Sequence, residues 1–361
     1  AVIFRPLPLA LLLLGGGISP GGSYAQAPAV LYDFNFDQGE SGFTTDASTW
    51  RRWYMVDLAQ GNLGEGLEDG IGRDKAWGSN PLGLYPSDLD IHLWSPDLNL
   101  SSEEGGTVEI WHRYDTQLGG DGGQIRFAGG DGSPQRTLMP WGGYPGVIQG
   151  EDGLPIGAFT GTSEGWIRDF FDLGALGSLD DGALPDGAFG FKFTSNGTLG
   201  DTGWFIERMI IYRGDGIPPL IRPVLLPEDT DDYLNPYAIE VQVEENGALE
   251  RVSVDYQVDP DGEILSLEMD DLGEGRYGAE LPAQPPGSLV SYRVVADDSA
   301  ENSGRLPNVV SKPSLSPFDQ FLVEVLPPQG LSLAALPPRL TTEVDITWAR
   351  PSTDMPIAAY N

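Results

Sequence analysis

From Val30 to about Tyr212 the chain repeats short stretches in which apolar and polar residues alternate, among them VLYDFNF, TVEIWHRY, QIRFAG, FGFKFTS and WFIERMIIY. Period-two alternation sends successive side chains to opposite faces of a half-buried strand, so these stretches predict antiparallel sheet. Clusters of Gly, Asp and Asn separate them, as turns would. Many short strands over about 185 residues predict a two-sheet sandwich, a jelly roll over residues 28–215. The segment RGDGIPPLIRPVLLPEDTDD, residues 213–232, breaks the pattern with prolines and acids and reads as an inter-domain linker running into a first strand. A second alternating set follows. Tyr237, Ile239, Val241 and Val243 share one face, as do Val252, Val254, Tyr256 and Val258, and Val290, Tyr292, Val294 and Ala296. About seven short strands with turns between them predict an Ig-like β-sandwich over residues 216–327. Residues 328–361 contain VDITWARP, a strand with a core Trp348, and IAAYN, the start of another. Two strands cannot bury a core, so this last unit is expected to be incomplete in the chain.

Composition supports an all-β protein. The 361 residues include 49 glycines and 30 prolines, the currency of tight turns, and eight of the nine tryptophans fall before residue 213. The net charge of −34, with Lys75, Lys192 and Lys312 the only lysines, argues against a nucleic-acid partner, because phosphate affinity needs clustered cations. The acidity serves solubility or supplies oxygen ligands for Ca²⁺. With no cysteine, disulfides, thiolate metal sites and cysteine nucleophiles are excluded. At the N-terminus Arg5, the apolar LPLALLLL and the small-residue site Ala25-Gln26-Ala27 read as a secretory signal over residues 1–27. That apolar run is too short for a membrane span, and the expected location is secreted or cell-surface.

Candidate chemistry is sparse. Metal-dependent hydrolysis on the H-E-x-x-H plan needs two imidazoles on one helical face. The two histidines, His92 and His112, sit instead on separate predicted strands. GTSEG, around Ser163, has the form of a nucleophile elbow but precedes a strand pattern, WIRDFFDL, where that motif requires a helix. Paired carboxylates of a glycosidase are not marked out among 54 acidic residues. GGDGGQIRFAGGDG, residues 119–132, lacks both the nine-residue period of calcium repeats and the Lys-Ser/Thr of a phosphate loop. It reads as two turns bounding one strand, with Ile125 and Phe127 facing the core and only Asp121 and Asp131 placed to touch a ligand. WRRWY and MPWGGY either fill the sandwich and its loop bases or present Trp50, Trp53, Tyr54, Trp141 and Tyr144 to a ligand such as a sugar ring. Trp111, Trp166 and Trp204 lie inside strand patterns and are assigned to the core. Arg213-Gly214-Asp215 matches an adhesion tripeptide and Asn196-Gly197-Thr198 a glycosylation sequon in form, though both fall where turns and linkers are expected.

The order and spacing of LWSPDLNLS (93–101), WHRYDTQLGGDGGQIRF (111–127), LMPWGGYPG (138–146), GWIRDFFDLG (165–174) and DTGWFIERMIIY (201–212) carry a family resemblance. The first domain resembles the MAM-like jelly-roll modules of secreted bacterial proteins, including those attached to immune-inhibitor-A-type metallopeptidases. Through GRYGAELPAQPPGSLVSYRVVADD the second resembles bacterial surface Ig-like modules. Trp348, Pro351 and Tyr360 give the last unit the look of a fibronectin type III start. The resemblance implies a structural calcium between an acid on the first strand and one on the last, here Asp37 and Glu207. The family's second acid on that last strand is replaced by Arg208. The expectation is a secreted or surface, non-catalytic, ligand-recognition protein, with an extracellular protein or glycan as partner. The rival expectation is an accessory region of an exported hydrolase, such as a metallopeptidase, whose catalytic domain lies outside these residues.

Overall fold

A computed structural model describes residues 28–45, 51–58, 75–306, 319–324, 332–333 and 346–347, apart from positions 82, 104, 131, 151, 164, 178–183, 199 and 260–261. The signal-like segment, Trp50, Asp131 and Trp348 lie outside the described residues. Within them, regular structure is strand throughout except for two single 3-10 turns, and no helix is long and apolar enough to cross a membrane.

The first unit begins with β1 (Ala29–Asn35), β2 (Thr44–Thr45), β3 (Tyr54–Asp57), β4 (Lys75–Gly78), β5 (Asp90–Trp94) and β6 (Gly106–Asp115). It continues with β7 (Gly122–Gly129), β8 (Arg136–Thr137), β9 (Gly146–Gln149), β10 (Pro155–Ala158), β11 (Ile167–Asp172), β12 (Gly187–Thr194) and β13 (Gly203–Arg213). A six-stranded sheet runs β11-β6-β13-β4-β3, with β1 also on β13, and a five-stranded sheet runs β2-β5-β12-β7-β8. From β4 to β7, and again from β11 to β13, consecutive strands lie in opposite sheets. That crossing pattern is the jelly roll. Strand alternation then builds the core directly. Phe189, Phe191 and Phe193 of β12 meet Val108 and Ile110 of β6 and Trp204, Ile206, Met209 and Ile211 of β13 across the sandwich.

β13 carries a bulge between Ile206 and Arg208. Before it the strand pairs with β4, and after it with β1, so the extra residue, Glu207, marks the point where one edge partner is exchanged for another.

The second unit comprises β14 (Leu220–Leu225), β15 (Tyr237–Glu244), β16 (Leu249–Val258), β17 (Leu265–Glu268), β18 (Asp270–Gly273), β19 (Arg276–Leu281), β20 (Leu289–Asp298), β21 (Ser303–Leu306) and β22 (Asp319–Leu322). Its sheets run β14-β15-β19-β18 and β17-β16-β20-β21, with β22 on β20. The three apolar stripes read from the sequence line the core between these sheets. β23 (Ser332–Leu333) pairs antiparallel with β24 (Ile346–Thr347).

The join between the units is packed. Ile217 is fully buried, and the Gly216 amide donates to Thr107 Oγ1 on β6 at 2.9 Å. These contacts join residues far apart in the sequence, and no local pattern encodes them.

Candidate functional site

On the five-stranded sheet Ile91, Leu93, Ile125, Phe127, Phe189, Phe191 and Phe193 point into the core. The intervening residues therefore share the outer face. Pairing aligns them in rows: His92, Lys192 and Gln124 in one, and Trp94, Gly190 and Arg126 in the next. The His92 and Trp94 rings are parallel within 7°, with centroids 5.8 Å apart. Trp94 lies against Gly190, where an added Cβ would come within 2.5 Å of the indole, so the glycine is what lets the ring settle over β12.

Lys192 and Gln124 are each only 5% exposed although they stand on the solvent side of the sheet. Neighbouring groups therefore cover both side chains; over Gln124 these include the β9–β10 hairpin, whose Gly157 carbonyl accepts from Gln124 Nε2 at 2.7 Å. Lys192 Nζ meets Asp90 at 3.2 Å, and Arg126 donates to Gln124 Oε1 at 3.3 Å. A half-buried aromatic pair beside ammonium, amide, guanidinium and carboxylate groups suits a polyhydroxylated ligand, whose hydroxyls both donate and accept while its C–H faces stack on rings. Sequence reasoning missed this face because its groups are spread over three strands. The one available signal was the polar half of each strand's alternation.

The aromatic residues singled out earlier fall elsewhere. Trp53 is 1% exposed and packs edge-on against Trp204 and Phe191, so its assignment to a ligand platform is corrected: it belongs to the core. Its position follows from β3 entering the six-stranded sheet, which turns the ring inward. Tyr54 is half-buried on the opposite face of that sheet, with the Arg52 guanidinium 5.3 Å from its ring. Tyr144 is held by its hydroxyl, which accepts from the Ile125 amide and donates to the Leu138 carbonyl. It acts as a corner brace, and burial raises its phenol well above the usual range. Trp141 is half-buried in a turn whose amide donates to Phe170 O. Trp166 and Trp204 are buried as expected, whereas Trp111 sits half-buried on the outer face of β6 beneath the Arg168 guanidinium at 5.1 Å.

Asp121 is fully buried. Its carboxylate accepts from Tyr85 OH and from the Asn196 amide, both at 2.7 Å, so it closes loops and is corrected as a ligand contact. Gly119 and Gly132 adopt φ of +74° and +78° at the two turns, and Gly123 clears the Trp204 ring. His112 is fully buried. Its Nδ1 accepts from Trp204 Nε1 at 2.9 Å and its Nε2 lies 2.7 Å from Asp169. The first bond leaves Nε2 to carry the proton toward Asp169, so the ring is locked with neither nitrogen open to a substrate. Ser163 Oγ donates to Gly165 O at 2.6 Å in a turn.

Arg213 is bound bidentately by Glu103, and Asp215 Oδ1 accepts from the Ile217 amide and from Asn246 Nδ2. The Arg-Gly-Asp tripeptide is thereby built into the domain join. Asn196 Nδ2 donates to Gln117 Oε1 at 2.9 Å. Asp37 Oδ1 accepts from the Lys75 amide at the start of β4, and Glu207 is buried next to Ile206, which pairs with Trp77 of the same strand. Arg208 is tied bidentately to Asp33 at 2.8 and 2.6 Å, which neutralises its charge locally. At the domain join the carboxylates of Asp215, Glu245 and Asp298 lie within 4.8 Å of one another.

No family model matches the chain, and no curated protein matches it. Among solved structures it is similar to the endo-D glycoside hydrolase domain of Streptococcus pneumoniae, at 15% identity over 73% of this chain and 35% of that one, with a TM-score of 0.27. It is also similar to a β-glucuronidase of Bifidobacterium dentium, at 9% identity over 78% of this chain and 48% of that one, TM-score 0.31. The chain thus spans less than half of either hydrolase. A third similarity is to the FN1–FN3 domains of chicken CNTN1, at 13% identity over 75% of this chain and 74% of that one, TM-score 0.21.

Proposed function

We propose that the chain is an exported, non-catalytic recognition region whose first sandwich binds a glycan on the outer face of β5, β12 and β7. The observation that carries this reading is the pair of parallel His92 and Trp94 rings on the outer face, beside Lys192, Gln124 and Arg126. Buried polar groups on the solvent side of a sheet are costly to keep unless they are hydrogen-bonded, and they are useful where a ligand's hydroxyls must be oriented.

Glycan-array binding of the whole chain, followed by calorimetry on the best ligand, tests it. Trp94→Ala is expected to weaken binding about tenfold, the value of one aromatic stacking contact. Lys192→Met is expected to weaken it by a similar factor, and neither variant should remove the cooperative melting of the first sandwich. Full affinity in both variants would remove this face from the reading.

A structural Ca²⁺ at Asp37 and Glu207 belongs to the same proposal. Its support is that the Asp37 carboxylate reaches the start of β4, that Glu207 is buried on β13 next to the stretch that pairs with β4, and that Arg208 is occupied by Asp33. A ligand that binds only the folded state raises its melting temperature. Millimolar Ca²⁺ is expected to raise the melting temperature over that in chelator, and Glu207→Gln to abolish the difference. Superimposable melting curves would end the calcium proposal and leave the glycan face untouched.

A further inference from the structure

Asp215 lies two residues past the end of β13, where the first sandwich hands the chain to the second. On the first side, the Gly216 amide donates to Thr107 Oγ1, which in turn donates to the Gly214 carbonyl. On the second side, Asn246 Nδ2 donates to Asp215 Oδ1, and Asn302 Nδ2 donates to both the Asp215 carbonyl and Asp298 Oδ2. Glu245, at the turn after β15, closes the trio. Its Oε1 accepts from the Gly247 amide, whereas its Oε2 is buried with no hydrogen-bond partner. Asp298 is 1% exposed and also accepts from the Ala300 and Asn302 amides.

Three segments far apart in sequence therefore place three carboxylates within 4.8 Å. The charged groups facing Glu245 are Asp215 from the linker and Asp298 at the end of β20. Nearby Arg213 is committed to Glu103, Arg222 to Glu244 on the other side of β15, and Arg251 to Asp297. No lysine or arginine among the described residues pairs with the trio, so three full negative charges would repel at short range in a partly desolvated place.

We infer that the domain join is a proton-operated latch, closed while Glu245 is protonated and the trio carries one negative charge fewer, and loosened when that proton leaves. Burial, with the Asp215 and Asp298 charges, pushes the Glu245 carboxyl from 4.5 up to about 7. Between pH of about 4.5 and about 7 the folded chain keeps a proton that the unfolded chain has released. The stability it contributes is therefore present at low pH, falls as pH rises through that window, and is constant above it.

Hydrogen exchange of the whole chain between pH 5 and 8.5, corrected for intrinsic exchange rates, reads the latch at the Ile217, Gly247 and Ala300 amides. Protection there is expected to drop about tenfold across the window. Amides of β7 and β12, on the five-stranded sheet of the first sandwich, are expected not to follow. Glu245→Gln supplies a permanent donor and is expected to hold full protection at every pH. Asp215→Asn removes one repelling charge and is expected to move the drop to lower pH. Wild-type protection that is flat across the range, or a drop that persists unchanged in Glu245→Gln, would overturn the inference. So would restoration of wild-type protection by millimolar Ca²⁺ at pH 8 that Glu245→Gln loses, since the trio would then be a cation site.

Discussion

Replacing Trp204 with alanine is expected to destabilise the first sandwich by about 4 kcal/mol, at the upper part of the range for a buried Trp→Ala change. The indole is fully buried and touches Trp53, Phe191, Phe159 and His112 at centroid distances of 5.6 to 6.0 Å. Gly123 packs on its ring from the facing sheet, so alanine would leave a cavity on both sides. It would also remove the donor to His112 Nδ1, leaving a buried acceptor unmatched at about 1–3 kcal/mol. Trp204→Phe restores most of the volume without the N–H and is expected to lose about 2 kcal/mol. Differential scanning calorimetry, in which the second sandwich serves as internal reference, measures both. A loss under 1 kcal/mol for the alanine variant would show that this cluster is not the keystone of the jelly roll.

Asp121→Ala is expected to destabilise the same sandwich by about 3 kcal/mol. The substitution strands two buried donors, Tyr85 OH and the Asn196 amide, and frees the loops they join. Asp121→Asn has nearly the same shape but puts an NH₂ where one oxygen must accept, so it is expected to rescue little. Tyr85→Phe is expected to be milder, since it removes one partner while the Asn196 contact survives, though the Gln117 amide then loses its acceptor. Urea unfolding followed by circular dichroism gives the free energies. If Asp121→Ala left stability unchanged but weakened ligand binding, the turn would be a recognition loop and its structural assignment would fall.

The second prediction concerns GGDGGQIRFAGGDG, the glycine-rich segment of residues 119–132. Its glycines at the turns and its strand between them were legible, because a positive φ and a period of two are local properties. The fate of Asp121 was not, because Tyr85 and Asn196 come from 36 and 75 residues away. The aromatics divide in the same way. Alternation placed Trp204 in the core correctly. WRRWY offered no means of telling that Trp53 turns inward, since that depends on which sheet edge β3 joins. Trp94 and His92 drew no attention as a pair until β5, β12 and β7 were set side by side.

What the residues determined alone was the strand-turn rhythm, the two successive β-sandwiches, the composition break between them, and the lack of any local catalytic motif. These rest on periodicity, turn chemistry and residue supply, all of which act over a few neighbours. What only the tertiary structure decided was which half of each alternation faces outward, which acids are buried as braces, and which three carboxylates meet at the domain join. Asp215, Glu245 and Asp298 converge because antiparallel pairing and sheet packing bring distant turns together, and no short-range pattern in the chain records that meeting.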